Sequence, residues 1–168
     1  MTGVTLALEL ASRGVRALLV EKSPETTRFP KMDITNARTM ELFRRLGVAE
    51  DLRRVAVPAA NPFDVAWVTT LAGWELHRFR YPGVDGWRAA SRACNDGTRA
   101  AEAPMRVSQV EIEPVLKARV LAAPGITARF GVAFESFEQD AGGVTAVVRD
   151  VATGVAETVR ADRLVGCD

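Results

Sequence analysis

Two cysteines, one histidine and one tyrosine among 168 residues leave little material for several kinds of chemistry. Cys94 and Cys167 cannot build the multi-bridge framework of a small secreted scaffold, so both are expected as plain thiols in a reducing cytoplasm. His77 has no cysteine or histidine at ligand spacing, which argues against a metal site. As the sole histidine it would also have to serve any hydrolytic triad, and no partner nucleophile stands out among Ser12, Ser23, Ser91, Ser108 and Ser136. An excess of one charge is lacking too: Lys and Arg number 22 against 21 Asp and Glu. Neither nucleic acid nor an anionic membrane is therefore an expected partner. Long apolar runs are missing, because Glu9, Arg13 and Arg16 interrupt Val4–Val20 before it reaches the roughly 18 residues of a membrane span. That stretch has no basic leader or unbroken apolar centre, and it is not read as a signal peptide.

What remains is ordinary globular composition, 48% hydrophobic and 26% charged, enough for one domain. Val4–Ala11 is apolar nearly all round and predicts a helix between layers, stopped by Gly14. Val15–Val20 predicts a buried parallel strand ending at Glu21, and together these resemble the second half of a βαβ unit. Pro24–Ile34 predicts a loop. A helix follows from near Asn36, with Met40, Phe43 and Leu46 as its apolar stripe and Gly47 as its stop, and then a short amphipathic segment over Val48–Val57. Phe63–Tyr81 predicts a two-stranded hairpin turning at Leu71-Ala72-Gly73. Tyr81–Ala103, rich in glycine and turn residues, predicts an excursion loop.

Ser108 and Glu111 have capping-box spacing, but Pro114 is comfortable only in a first turn, so the regular helix is expected from nearer Glu113 to about Ala123. Ile126–Asp140, Val144–Asp150 and Glu157–Ala161 predict a meander, with a last strand at Arg163–Val165. Trp67, Trp74, Trp87 and Tyr81 could line an aromatic pocket, although buried sheet core is the expected place for them.

The dinucleotide fingerprint G-x-G-x-x-G needs glycines because a side chain would block the tight turn and the approach of backbone to pyrophosphate. Gly3 has the place of the third glycine, and the other two would fall before residue 1 together with the first strand. Glu21, eighteen positions on and at the tip of the next strand, is where an acid accepts hydrogen bonds from an adenosine ribose. A solvated strand-end glutamate and a packing glycine fit the same pattern, so spacing alone leads to a partial nucleotide-binding α/β domain.

Four blocks go further: TGVTLALELASRGVRALLVEKSP, FPKMDITNARTMELFRRLGV, MRVSQVEIEPVLKARV and RADRLVGCD, which span the chain from Thr2 to Asp168. In this order they resemble the FAD-dependent aromatic-ring monooxygenases, the group A flavoprotein hydroxylases that include phenol and p-hydroxybenzoate hydroxylases. The resemblance implies that Gly3 opens the helix beneath the FAD pyrophosphate and that Glu21 holds the adenosine ribose. Lys31 stands where the family usually has arginine facing the pyrophosphate; it keeps the charge and loses the planar fork. Arg38, with Met40 and Glu41, matches a helix-entry pattern in which cofactor contact and a role in the fold both stay open. Gln109 resembles the glutamine that bonds the cofactor's phosphate or ribitol side, with a bare capping role as the alternative. Asp168 matches the aspartate placed by the flavin's ribityl end and by reduced pyridine nucleotide, without the glycine that should follow it.

The expected fold is α/β: a partial Rossmann-like FAD-binding domain lacking its first strand, with a β-rich meander and the start of a substrate-domain sheet. Residues 1–57 and 104–168 are assigned to the FAD-binding domain, and 58–103 to the opening of the substrate sheet and the excursion loop. The cofactors implied are FAD with NADPH or NADH as reductant, and the partners a small aromatic substrate and O2. In the family, hydride reduces the flavin, oxygen adds to form a flavin hydroperoxide, and this hydroxylates an activated ring. No catalytic side chain is assigned, since the family's Gly-Asp-Ala block and most of its substrate domain have no counterpart here. The chain alone is expected to be inactive and to bind FAD poorly or not at all. Two other readings remain: a non-catalytic assembly module completed by a second copy or a complementing chain, and a fragment of a nicotinamide-dependent dehydrogenase. The second and fourth blocks count against the dehydrogenase.

Overall fold

A computed structural model describes residues 1–94 and 96–167. In chain order the elements are α1 (Thr2–Ser12), β1 (Ala17–Glu21), β2 (Ile34–Thr35), α2 (Ala37–Arg45), α3 (Ala49–Val55), β3 (Val65–Val68), β4 (Glu75–Phe79), α4 (Val84–Ala93), β5 (Met105–Arg106), α5 (Gln109–Leu121), β6 (Ile126–Phe130), β7 (Val132–Asp140), β8 (Gly143–Asp150) and β9 (Ala156–Ala161). They fall into two units: residues 1–28 with 113 onward, and residues 29–112.

In the first unit α1 ends as its sequence dictates. Gly14 takes φ +72°, and the N–H groups of Gly14 and Val15 donate to the carbonyls of Ala11 and Leu10 at 2.9 and 3.0 Å, satisfying acceptors that a helix end leaves open. The chain then enters β1, which pairs in parallel with β6 from Ala17↔Ile126 to Glu21↔Phe130. Burial of this strand is less than expected: none of its residues is fully buried and Leu18 is exposed. Among the described residues only β6 pairs with β1, and a strand is fully buried only when both faces and both edges are covered.

The stretch Ile126–Asp140, expected as one strand, is two. Gly131 at φ +79° breaks it, and a non-glycine residue would pay roughly 1–2 kcal/mol for that left-handed conformation. β6 stays beside β1, whereas β7 turns away into the antiparallel sheet β7-β8-β9. Val132, Val144, Ala146 and Val148 are buried in that meander. The strand expected at Arg163–Val165 does not form, and no strand among the described residues pairs there to satisfy its backbone.

In the second unit the Asn36 side chain accepts the Thr39 N–H at 2.8 Å and caps α2. Met40 and Phe43 are buried, joined by Val48, Ala49, Leu52, Met105 and Val107. The hairpin β3–β4 forms as expected, with a bulge after Trp67. Residues 81–103 are not simply a loop, for they contain α4. Gly83 is its N-cap and Asp85 sits in its first turn, so Gly86 falls early enough in the helix to weaken it little, and Trp87-Arg-Ala-Ala-Ser-Arg-Ala carries it onward. Val84 is buried with Phe63 and Ala103, against which Ala59 and Trp87 pack.

α5 begins at Gln109, with Pro114 inside the helix. The capping residue prevails over the proline: the Ser108 carbonyl accepts from Glu111 and Ile112 at 3.0 and 3.2 Å, and its hydroxyl accepts the Val110 N–H at 3.3 Å. Ile112, Leu116 and Val120, four apart, form a fully buried stripe that outweighs the one donor Pro114 removes. Arg53 donates to Glu102 at 2.8 Å and to the Ala103 carbonyl at 3.0 Å, with side-chain exposures of 10% for Arg53 and 12% for Glu102. Nothing in the sequence pattern singled out this part-buried pair.

Candidate cofactor site

In the first unit Gly3 lies in the opening turn of α1, which no side chain caps. A Cβ at this position would come within 3.2 Å of the Leu19 Cδ1 and 3.3 Å of the Cys167 Cβ. The missing side chain therefore lets α1 lie close on β1, which is what the third glycine of a dinucleotide fingerprint does for helix and strand. Two residues beyond Leu19, Glu21 ends β1 with an exposed side chain. Its Oε1 accepts the Ser23 N–H at 2.8 Å.

The loop after Glu21 is held from α5. Lys117 Nζ donates to the Pro24 carbonyl at 2.6 Å, and Glu113 Oε2 accepts the Thr27 N–H at 2.9 Å. Lys117 also stands over the Phe130 ring, 4.3 Å from its centroid, and Phe130 is the register partner of Glu21. Sequence reading passed over Glu113 and Lys117. Their i, i+4 spacing on α5 was visible, but nothing local showed that a loop 86 residues away would meet them.

Lys31, Arg38 and Gln109 lie in the second unit. Gln109 opens α5, and its N–H donates to the Met32 carbonyl at 3.1 Å, which sets the residue after Lys31 directly against it. The neighbouring bonds continue the ladder: Val107 N–H donates to the Asp33 carbonyl at 2.8 Å, β2 pairs with β5, and Arg106 bonds the Asp33 carboxylate at 2.7 Å. Lys31 is exposed. The structure thus joins the segment that carries Lys31 to the start of α5 at Gln109 through the backbone.

Arg38, with a 75% exposed side chain, pairs with Glu41 at 2.7 Å. The other Glu41 oxygen accepts the Ala101 N–H at 2.9 Å. The Arg38 hydrogen bond, helped by that of Ala101, holds the Glu41 carboxyl below its ordinary range. For Arg38 this supplies the fold-related partner. Asp168 lies outside the described residues.

Two cavities of this unit have other linings. One of about 450 Å³ is lined by Arg88, Ser91, Arg92 and residues 101–103; the other, of about 210 Å³, includes Arg53, Val84, Arg88 and Met105. Neither is lined by Lys31, Arg38 or Gln109.

The aromatic residues are not the sheet core expected of them. Trp67 and Trp74 are exposed, as are Tyr81 and Phe79, whereas Trp87 packs against a buried cluster. Val65 and Trp67 lie opposite Phe79 and His77 on one hairpin face, and the Phe79 ring meets those of His77 and Trp67 edge-on at 4.7 and 5.2 Å. A lone hairpin has no second layer of its own under which to bury that face. Cys94 and Cys167 are free thiols.

The first unit thus has a close-packed helix and parallel strand with an acid at the strand tip, and the second has an exposed lysine one residue before the backbone bond to a helix start. A family model described as FAD binding domain matches residues 1–168. The FAD-dependent monooxygenase apdD of Emericella nidulans is 37% identical over 99% of this chain and 27% of its own length. The 2,4-dichlorophenol 6-monooxygenase of Delftia acidovorans is 35% identical over 99% of this chain and 28% of its own. Among solved structures, the flavin-dependent monooxygenase PieE in complex with FAD and substrate superposes with a TM-score of 0.85 at 34% identity, over 99% of this chain and 28% of that one. The chain belongs to the FAD binding domain family, and the relatives named here are monooxygenases. It spans less than a third of the length of these relatives.

Proposed function

We propose that this chain is the FAD-holding part of a monooxygenase that hydroxylates an aromatic, phenol-like ring with O2, drawing its electrons from NADH or NADPH. The observation that carries the reading is the Gly3–Leu19 approach with Glu21 at the strand tip, together with the family match over the whole chain. The residues present fit FAD. Gly3 lets α1 begin close against β1, Glu21 offers a carboxylate to the adenosine ribose, Lys31 offers a cation to the pyrophosphate, and Gln109 offers its amide to the phosphate or ribitol side. Arg38 takes part at the helix entry, and Asp168 is assigned to the ribityl end.

When bound, FAD supplies the reductive activation of oxygen. The chain's own residues bind and orient: Glu21 accepts hydrogen bonds, Lys31 neutralises charge, and the Gln109–Met32 backbone bond keeps amide and ammonium on neighbouring segments. Residues 1–57 and 104–168 form the FAD-binding part in this reading, and 58–103 opens the substrate sheet. The two free thiols fit a reducing cytoplasm, and no helix of the described residues is long and apolar enough to cross a membrane.

The test is Glu21→Ala with FAD affinity read by flavin fluorescence. A hydrogen bond to a charged acceptor contributes about 1.5–3 kcal/mol, so Kd rises about 10- to 100-fold while the melting temperature stays nearly unchanged. Unchanged affinity overturns the ribose assignment. The exposed aromatic face of β3 and β4 favours a second reading, assembly with another copy or a complementing chain. Concentration-dependent association without flavin, followed by ultracentrifugation, would support it.

A further inference from the structure

We infer that Glu113 and Lys117 are positioning residues for Glu21: from one face of α5 they hold the loop that aims the Glu21 carboxylate. The inference rests on the reading of Glu21 as the ribose acceptor, and it adds two residues that this reading does not use.

Glu21 is exposed at the end of β1, and an unrestrained glutamate there would sample several rotamers, each holding its carboxylate in a different place. What restrains it is one bond, from the Ser23 N–H to Oε1 at 2.8 Å. That bond lasts only if the backbone of residues 22–24 keeps its course, and this segment has no strand or helix of its own.

α5 supplies the missing support at two points. Lys117 Nζ donates to the carbonyl of Pro24, the residue after Ser23, at 2.6 Å. One helical turn earlier, Glu113 Oε2 accepts the Thr27 N–H at 2.9 Å in a part-buried setting. Opposite charges on the two side chains match opposite backbone groups: the ammonium takes a carbonyl, and the carboxylate takes an N–H.

Lys117 is fixed in turn by the Phe130 ring at 4.3 Å. Because Phe130 faces Glu21 in the β1–β6 register, the same lysine joins the loop to the strand end from which Glu21 projects. Hydrogen bonds to charged groups are stronger than neutral ones, and Pro24 limits the loop's freedom at the residue that Lys117 grips. Free of these ties, the loop would let Ser23 drift and Glu21 swing, lowering the fraction of molecules with the acid in place.

Amide hydrogen exchange and nucleotide discrimination, measured on the whole 168-residue chain, test this. Glu113→Gln and Lys117→Met are each expected to speed exchange three- to tenfold at Ser23, an amide neither residue touches, while amides of β8 such as Ala146 keep their wild-type rates. Faster exchange at Ser23 and β8 alike would show loss of general stability and overturn the inference, as would an unchanged Ser23 rate. In the second arm, FAD is compared with its analogue lacking the adenosine 2′-hydroxyl. Wild type is expected to prefer FAD, Glu21→Ala to lose the preference, and each α5 variant to reduce it two- to fivefold, with nothing further lost when it is combined with Glu21→Ala. Wild type that binds FAD and the analogue equally well overturns the ribose reading, and the exchange arm still decides whether α5 positions the acid.

Discussion

Single atoms decide how close α1 lies to β1. With 3.2 Å to Leu19 and 3.3 Å to Cys167 from the Cβ that Gly3 lacks, one added carbon can be met by a small shift of the leucine tip, and a branched side chain cannot. Gly3→Val is therefore expected to destabilise the first unit by about 1–3 kcal/mol, the ordinary cost of overpacking, and to lower the urea midpoint without changing the slope. A midpoint equal to wild type would show that the helix start is free to move and that no close approach is enforced there. The residues proposed to hold the cofactor differ in how readily sequence yields them. Gly3 and Glu21 follow from spacing within one βαβ half, and Lys31 and Gln109 from resemblance. The Gln109–Met32 bond and the Glu113–Thr27 bond join residues dozens of positions apart, which no local pattern reveals.

Among the elements, the β7–β9 sheet has the clearest electrostatic signature. Arg149 bonds Glu135 at 2.6 Å and Arg160 bonds Asp140 at 2.6 Å, and these guanidinium contacts hold both carboxyls below their ordinary range. Asp150 is lowered as well, first by the Thr153 N–H. Folding depresses these pKa values, so the stability they contribute is complete above the ordinary carboxylate range of about pH 4 and is lost as pH falls through the folded values. Melting curves are expected to be flat from pH 7 to about 5 and to drop below about 4, with Arg160→Gln flattening the acid limb. An acid limb unaltered by that variant would remove Asp140 from the account.

The elements also show where local reading stops. Helix caps and stops at Asn36, Ser108 and Gly14 form where the residues require them, because capping is settled within a turn. The division of Ile126–Asp140 at Gly131 was hidden, since an apolar run does not tell which of two sheets each half will join. The proline in α5 and the helix within 81–103 yielded to burial of Ile112, Leu116 and Val84, which local propensity does not contain.

Taken as a whole, the molecule leaves much apolar surface open. Trp74 is 81% exposed and Trp67 48%, with Trp87 half-buried. Tryptophan emission is accordingly expected to be red-shifted and strongly quenched by acrylamide, and Trp74→Ser to remove the most quenchable component. Blue-shifted, quench-resistant emission at micromolar concentration would mean that the hairpin face is covered in solution, which would favour the assembly reading.

Residue order alone settled the α/β class, the helix stops, the hairpin and the family, because each depends on backbone preferences or on blocks that can be read along the chain. The depth to which strands are buried, the division of Ile126–Asp140 between two sheets and the grip of α5 on the loop after Glu21 came only with the folded chain. Burial and long-range hydrogen bonding belong to groups brought together from distant positions, and their free energies exist only once those groups meet.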